Sequence, residues 1–346
     1  MIKTKNFLLQ NENSVFFECG YSCDNCIYIS LGSESFFITD GRYAIDAKEK
    51  IKNGSEVVIT NDLVKAARKI LKKAKIKKIA FDPNDFTLST YLALTKNSDI
   101  KFIKKPNFSK LKRIIKSDDE IKLIKKAMEL GRKGFVKFAN YLQKDAYNKT
   151  EKHLAYVAKT LLSDFGKYDL SFEPIVAINE NGAKPHAIPT HKTYSKNDLL
   201  LFDGGVKYKR YCSDRTVTFG NNLKALNKTQ RDQKFKKKLH QKIYDIVLMA
   251  QESTIKKARV GMKASQIDKI GRDIIDKAGY GKYFVHSTGH GVGLDIHEYP
   301  IISAKSDVII EENMVYTIEP GIYLPNQFGV RIEDTVVMRG SKAEIL

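Results

Sequence analysis

Hydrophobic and polar positions change rhythm several times along this chain. SVFFECG, CIYISLG and SFFITDGRY alternate with a period of two, which predicts strands, and the run from Val64 to Lys73 repeats at helical spacing. The N-terminal third therefore predicts an α/β unit. At KSDDEIKLIKKAMELGRKGFVKFANYL the period turns helical, opened by Ser117 and Glu120 at capping-box spacing, with Ile121, Ile124, Ala127 and Met128 on one face. A long helix starts there and divides residues 1–112 from residues 113–346.

Beyond that helix one pattern is stated twice. The first pass is a helix from Thr150 to Phe165 followed by the strands FEPIVAI and LLLFDGGVKYKRYCSDRTVTFG. The second has helices from Thr229 to Lys257 and Ser265 to Lys277, then strands around FVHSTGHGVGLD, MVYTIEPGIYL and GVRIEDTVVM. Two such halves predict an α+β layer structure, sheets facing inward and helices outside.

A length of 346 residues suits two domains of unequal size. Near the N-terminus only Phe7 to Leu9 form an apolar run, and no segment has the ~20 apolar residues of a membrane span, so the expected location is the cytoplasm, with no membrane partner. Four cysteines, Cys19, Cys23, Cys26 and Cys212, make no disulfide framework in so long a chain. The first three have a spacing that can hold an iron–sulfur cluster, but VFFECGYSCDNCIYIS alternates like a hairpin and no barrel pattern follows it. The formal charge of +20 raises a polyanion partner. Its lysines are spread through LKKAKIKKIA, IKKPNFSKLKR and DQKFKKKLHQK without interleaved aromatics, which predicts solvated faces and disfavours nucleic acid.

The acidic residues carry more information. In LLLFDGGVKYKRYCSDRTVTFG a turn at Tyr208 and Lys209 would set Asp203 directly opposite Asp214, on one face of the sheet. In MVYTIEPGIYLPNQFGVRIEDTVVM a hairpin centred near Asn326 would do the same for Glu319 and Glu333. Four carboxylates on facing apolar strands are costly to bury without a cation. Oxygen donors suit Mg²⁺, Ca²⁺ or Mn²⁺, and an added imidazole shifts preference toward Mn²⁺, Fe²⁺, Co²⁺ or Zn²⁺. Two such ions sharing a water would lower its pKa toward neutrality, the chemistry of a hydrolase.

Three of the seven histidines fall in FVHSTGHGVGLDIHEYP. His286 and His290 are four apart, but Gly289, Gly291 and Gly293 argue against a helix, and no glutamate completes a zinc-protease motif. In an extended segment the two can share a face, whereas His297 needs a separate placement. His153, His191 and His240 lie in polar settings that predict surface positions.

Together, DGGVKYKRYCSDRT, HSTGHGVGLDIHEYP, TIEPGIY and VRIED resemble the pita-bread metallopeptidases, in the Xaa-Pro aminopeptidase and Xaa-Pro dipeptidase (prolidase) branch. The resemblance runs from about residue 115 to the end and reaches the N-terminal domain through FITDGRY, which contains Arg42. It implies a pita-bread catalytic domain behind a smaller creatinase-type α/β domain. It implies two divalent ions, Mn²⁺ before Co²⁺, Zn²⁺ or Fe²⁺, held by Asp203, Asp214, His290, Glu319 and Glu333, with Asp214 and Glu333 bridging. His186, His286 and His297 would line the substrate pocket and steady the tetrahedral intermediate, with Glu319 moving the proton to the leaving nitrogen. The implied substrates are short peptides with proline second, and the implied assembly is a homodimer.

Arg331, two residues before Glu333, is expected to brace a ligand carboxylate rather than bind substrate. The family pattern S-D-x-T-R-T departs here to SDRTVT, with Val217 in place of arginine, which puts a pocket-edge contact in question. A methionine aminopeptidase shares the ligands but usually lacks the N-terminal domain. A non-catalytic pita-bread module binding nucleic acid or protein through its basic surface would not need the ligands at all.

Overall fold

The computed structural model describes residues 5–220 and 233–346. They form two compact units, Met1–Arg113 and Ile114–Leu346. Among the described residues no helix is long and apolar enough to cross a membrane.

The first unit runs β1 (Asn6–Leu9), α1 (Glu12–Cys19), β2 (Cys26–Leu31), β3 (Glu34–Thr39), α2 (Ala44–Lys50), β4 (Glu56–Ile59), α3 (Leu63–Lys73), β5 (Lys78–Phe81), α4 (Leu88–Thr95), β6 (Lys101–Lys104) and α5 (Phe108–Lys112). Its strands make one mixed sheet, in the order β4-β3-β2-β1-β5-β6. Alternation sorts the side chains: Phe7, Leu9, Cys26, Tyr28 and Phe37 pack on one face with Phe108, while Leu8, Ile27, Ile29 and Ile38 pack on the other with Leu71 and Leu94. Both faces are therefore covered, as in an α/β layer.

One element differs from its alternation. SVFFECG is helical, within α1, because Asn11 caps its start by accepting the Ser14 N–H at 3.0 Å and Gly20, at φ 78°, closes its end. The cysteine segment is thus a helix, a loop and a strand, not a hairpin. All four cysteines are free and buried, and the thiols of Cys19 and Cys26 donate to backbone carbonyls of Val15, Tyr21 and Cys23. Cys19 and Cys23 join Cys26 in this core.

The second unit runs α6 (Asp118–Lys144), α7 (Glu151–Leu162), β7 (Ile175–Ile178), β8 (Leu200–Gly204), β9 (Lys207–Tyr208), β10 (Tyr211–Cys212), β11 (Arg215–Phe219), α8 (Lys238–Lys257), α9 (Ala264–Lys277), β12 (Gly289–Gly291), β13 (Glu298–Ile302), β14 (Val315–Ile318), β15 (Gly321–Leu324), β16 (Phe328–Arg331), β17 (Asp334–Arg339) and β18 (Lys342–Ile345). The capping box at Ser117 and Glu120 is present and opens α6. The helix expected from Thr229 begins at Lys238: residues 229–232 lie outside the described residues and 233–237 are not helical.

Helix, helix, sheet occurs twice. In the first half α6 and α7 pack on the sheet β11-β8-β7, with Phe135, Phe138, Leu154, Leu162, Leu200 and Phe202 in the core between them. Gly134 allows α6 against α7, since a Cβ there would lie 2.8 Å from Leu162 Cδ2 and 2.9 Å from Leu162 Cα. In the second half the sheet β13-β12-β14-β17-β18 carries Tyr316, Ile318, Val336 and Met338 toward Ala264 and Ile267 of α9. Because strand side chains alternate, the residues between these apolar ones point to the opposite face of each sheet. Those residues are Asp203 on β8, Thr216 and Thr218 on β11, Thr317 on β14 and Thr335 on β17, with Asp214, Glu319 and Glu333 at strand ends.

Candidate metal centre

The first pair of carboxylates is set by a two-residue turn. Lys209 and Arg210 both have positive φ, 46° and 74°, so the turn sits one residue later than the expected Tyr208–Lys209. Tyr208 faces Tyr211, and Asp203 faces Thr216 rather than Asp214. Moving a turn by one residue moves every cross-strand partner by two, which preserves the face. Asp214 is therefore the diagonal neighbour of Asp203 on the same side.

The second pair follows the expected register. Ile318 faces Asp334 on one side and Gly321 faces Arg331 on the other, both ladders belonging to a hairpin centred on Asn326, at φ 59°. Glu319 and Glu333 lie between the ladders. The two halves are stitched across this point: the Glu333 N–H donates to Thr216 O at 3.1 Å, and Thr335 Oγ1 donates to Asp214 O at 3.0 Å.

His290 lies on β12, where no Cβ fits at Gly289 because it would fall 1.9 Å from Thr317 O. The His290 N–H donates to Thr317 Oγ1 at 3.0 Å, and Thr317 Oγ1 donates to Glu319 Oε1 at 3.1 Å. His290 Nδ1 lies 3.1 Å from Gly291 O and donates to it, which leaves Nε2 3.3 Å from Glu319 Oε1 and 3.6 Å from Asp214 Oδ2. Asp214, His290 and Glu333 each offer a ligand atom within 4.8 Å of the others, and among the described residues they are the group of three or more that could hold an ion.

The electrostatics fit a cation. Asp203, Asp214 and Glu333 are 8%, 5% and 3% exposed. Burial pushes all three above the ordinary carboxylate range, and the charges of Glu333 on Asp214 and of Glu319 on Glu333 push further. Burial also works to raise Glu319, but the hydrogen bond and charge of His290 outweigh it and hold Glu319 low. Asp203 Oδ1 and Glu333 Oε1 are buried with no hydrogen-bond partner. Orphaned carboxylate oxygens are rare in a folded interior, and a bound ion would satisfy both. Oxygen donors with one imidazole suit Mn²⁺, Fe²⁺, Co²⁺ or Zn²⁺.

Arg331 is 4% exposed and fully engaged. Its Nη2 donates to Asp203 Oδ2 at 2.8 Å, Nε to Thr216 Oγ1 at 3.0 Å, and Nη1 to Tyr323 OH at 2.8 Å and Pro185 O at 3.1 Å. It braces Asp203, as expected. Tyr323 OH then lies 2.9 Å from His286 Nε2, whose Nδ1 is 2.7 Å from Ser287 O. A carbonyl can only accept, so His286 carries its proton on Nδ1 and accepts from Tyr323 at Nε2. Burial lowers its pKa, in keeping with a neutral ring. Both His286 nitrogens are engaged within the protein, to Ser287 O and Tyr323 OH, while the residue lines the same cavity as His290.

Sequence reasoning missed Thr216, Thr317 and Tyr323. Their signal was faint: polar residues at site-facing positions of strands whose other residues are apolar. A cavity of about 540 Å³ reaches Asp203, Asp214, His290, Glu319 and Glu333 and is also lined by His186, His286 and His297. His186 and His297 are exposed, and the His297 ring centroid lies 4.5 Å from that of His290. Of the histidines expected at the surface, His153 and His191 are exposed, but His240 is buried at 6%, its ring 4.3 Å from that of Phe328. Its neighbours in DQKFKKKLHQK are mostly lysine and glutamine, so the sequence hid an inward-facing helix position. Val217, the departure from the family pattern, packs on the helix side of β11 against the core, away from Asp214.

Similarities to known proteins agree with this geometry. Residues 122–340 match metallopeptidase family M24 and residues 3–117 match the creatinase/prolidase N-terminal domain. The chain belongs to the M24 metallopeptidases. It is 31% identical over 334 residues to the uncharacterized peptidase YqhT of Bacillus subtilis, covering 96% of this chain and 90% of that protein. Its structure is similar to Xaa-Pro dipeptidase from Bacillus anthracis, with a TM-score of 0.89 and 31% identity, covering 99% and 92% of the two chains. It is likewise similar to X-Pro aminopeptidase from Thermotoga maritima, with a TM-score of 0.86 and 32% identity over 99% and 95%.

Proposed function

We propose that this metallopeptidase removes the N-terminal residue from short peptides whose second residue is proline. The observation that carries the reading is one cavity lined by Asp203, Asp214, Glu319, Glu333 and buried His290, with exposed His186 and His297, in a chain similar over nearly its full length to Xaa-Pro peptidases. Proline lacks an N–H and restricts the residue before it, so peptidases that grip an extended backbone handle it poorly and a dedicated pocket is needed.

Asp203, Asp214, His290, Glu319 and Glu333 would hold two divalent ions, with Mn²⁺ the first to test. Bound there, the ions supply Lewis acidity and an activated water near neutral pH. The remaining work falls to the chain. Glu319, whose Oε1 lies 3.3 Å from His290 Nε2 in the same cavity, would take a proton and hand it to the leaving nitrogen. His186 and His297 line the cavity from its exposed side and would donate to the developing oxyanion. Arg331 holds Asp203 in place, while Tyr323 and His286 hold Arg331.

The test is an assay with added Mn²⁺ on Ala-Pro, Ala-Pro-Pro and Ala-Ala. Release of alanine from either proline peptide, with Ala-Ala resistant, is the expected result. Equal cleavage of Ala-Ala, or none of any peptide, would reject the proline reading.

A further inference from the structure

The segment carrying His290 is gripped from behind by two residues that do not line the cavity. Asp268 and Arg272, one turn apart on α9, form a two-pronged ion pair, Nε to Oδ2 and Nη2 to Oδ1, each 2.8 Å. Asp268 is fully buried. The guanidinium stacks 4.2 Å over the Phe284 ring and donates to the carbonyls of Phe284 at 3.2 Å and His286 at 2.9 Å. Asp268 Oδ1 also accepts from the Thr288 hydroxyl at 2.8 Å and the Thr288 N–H at 3.2 Å. One ion pair therefore holds residues 284, 286 and 288, just before β12, where the Thr288 N–H also donates to Ile302 O at 2.8 Å.

That grip reaches two of the residues placed to hold an ion. Thr288 O accepts the Glu319 N–H at 2.8 Å, and two residues beyond Thr288 is His290. The anchor itself is rigid, because Gly271 seats α9 so closely on α8 that a Cβ would lie 2.8 Å from Thr254 Oγ1. A carboxylate and a guanidinium with matched forks fix angle as well as distance, which a single hydrogen bond cannot.

We propose that the Asp268–Arg272 pair is a positioning device for the metal centre, setting the separation of the His290 imidazole and the Glu319 carboxylate. The inference rests on the reading that these two residues are ligands. It places the effect on metal affinity first and on peptide affinity hardly at all, since neither Asp268 nor Arg272 reaches the cavity.

The experiment measures Mn²⁺ affinity by titration calorimetry in the absence of peptide, well below the melting temperature, together with kcat and KM. Asp268→Asn and Arg272→Lys are expected to weaken Mn²⁺ binding roughly 10–100-fold, the range for residues that orient ligands, with KM changed less than about 3-fold. Thr288→Val, which removes one hydroxyl contact and keeps the ion pair, should give a smaller loss and serves if the other variants fail to fold. Ile275→Val, buried on the same helix, should lower the melting temperature without changing Mn²⁺ affinity. If the clamp variants behave like Ile275→Val, the pair is only structural and the inference is wrong. If His290→Ala binds Mn²⁺ as the parent does, the ligand reading fails, and the clamp proposal with it.

Discussion

Thr216 Oγ1 donates a hydrogen bond of 2.6 Å to Glu333 Oε2, across the line where the two halves of the second unit meet. One oxygen of Glu333 is thereby pinned, and the other, Oε1, stays buried without a partner. A carboxylate held in this way is oriented before any ion arrives. Thr216→Val keeps the volume and removes the pin, so Mn²⁺ affinity should fall about 10-fold or more while the circular-dichroism spectrum is unchanged. Wild-type affinity in this variant would show that Glu333 needs no such orientation.

Asp214→Asn separates stability from activity. Burial and the charge of Glu333 raise the folded-state pKa of Asp214 well above its unfolded value, so the folded protein retains a proton there that the unfolded chain releases. That contribution is favourable below about pH 4, the unfolded value, and is lost as pH rises through the raised pKa. Metal-free Asp214→Asn should therefore melt roughly 2–4 °C above the metal-free parent at pH 8, with the gap closing toward pH 5. Added Mn²⁺ should stabilise the parent far more than the variant, and turnover by the variant should vanish. A variant that melts lower than the parent at pH 8 would contradict the charge repulsion inferred here.

Arg331→Lys keeps the charge and loses the fork. Four contacts, to Asp203, Thr216, Tyr323 and Pro185, cannot be remade by one ammonium. The expected outcome is kcat lower by roughly 10–100-fold, with fold retained, as for other losses of a ligand-orienting group. Steady-state kinetics in saturating Mn²⁺ checks this, and near-normal kcat would mean that only the charge matters.

Gly289→Ala tests the close approach of β12 to β14. The added methyl meets the Thr317 carbonyl at 1.9 Å, a backbone atom that cannot swing aside, so the strand carrying His290 must move. Loss of Mn²⁺ binding in calorimetry is expected, with a melting temperature reduced but a folded protein recovered. Tight Mn²⁺ binding by this variant would show that the strand can shift without cost to His290.

Much of the site was legible because it depends on periods of two and on turns. Asn326 at the centre of one hairpin and alternation along LLLFDGG were enough to bring out Glu319, Glu333, Asp203 and Asp214 as inward carboxylates. The reading erred where local signals competed: Asn11 and Gly20 turned an alternating run into a helix, and the positive-φ pair Lys209–Arg210 moved a turn by one residue. His240 was misplaced because its lysine-rich neighbours masked the one face of α8 that packs inward.

The chain by itself determined which residues share a face, since strand alternation and turn chemistry act between near neighbours and are written in the order of residues. Only the tertiary structure decided which faces meet. The contacts from Thr216 to Glu333 and from Arg331 to Asp203 join residues far apart in sequence, and they arise from two packed cores pressing their sheets together. No period in the sequence encodes such an approach, because it is set by the sum of many side-chain volumes and not by any one of them.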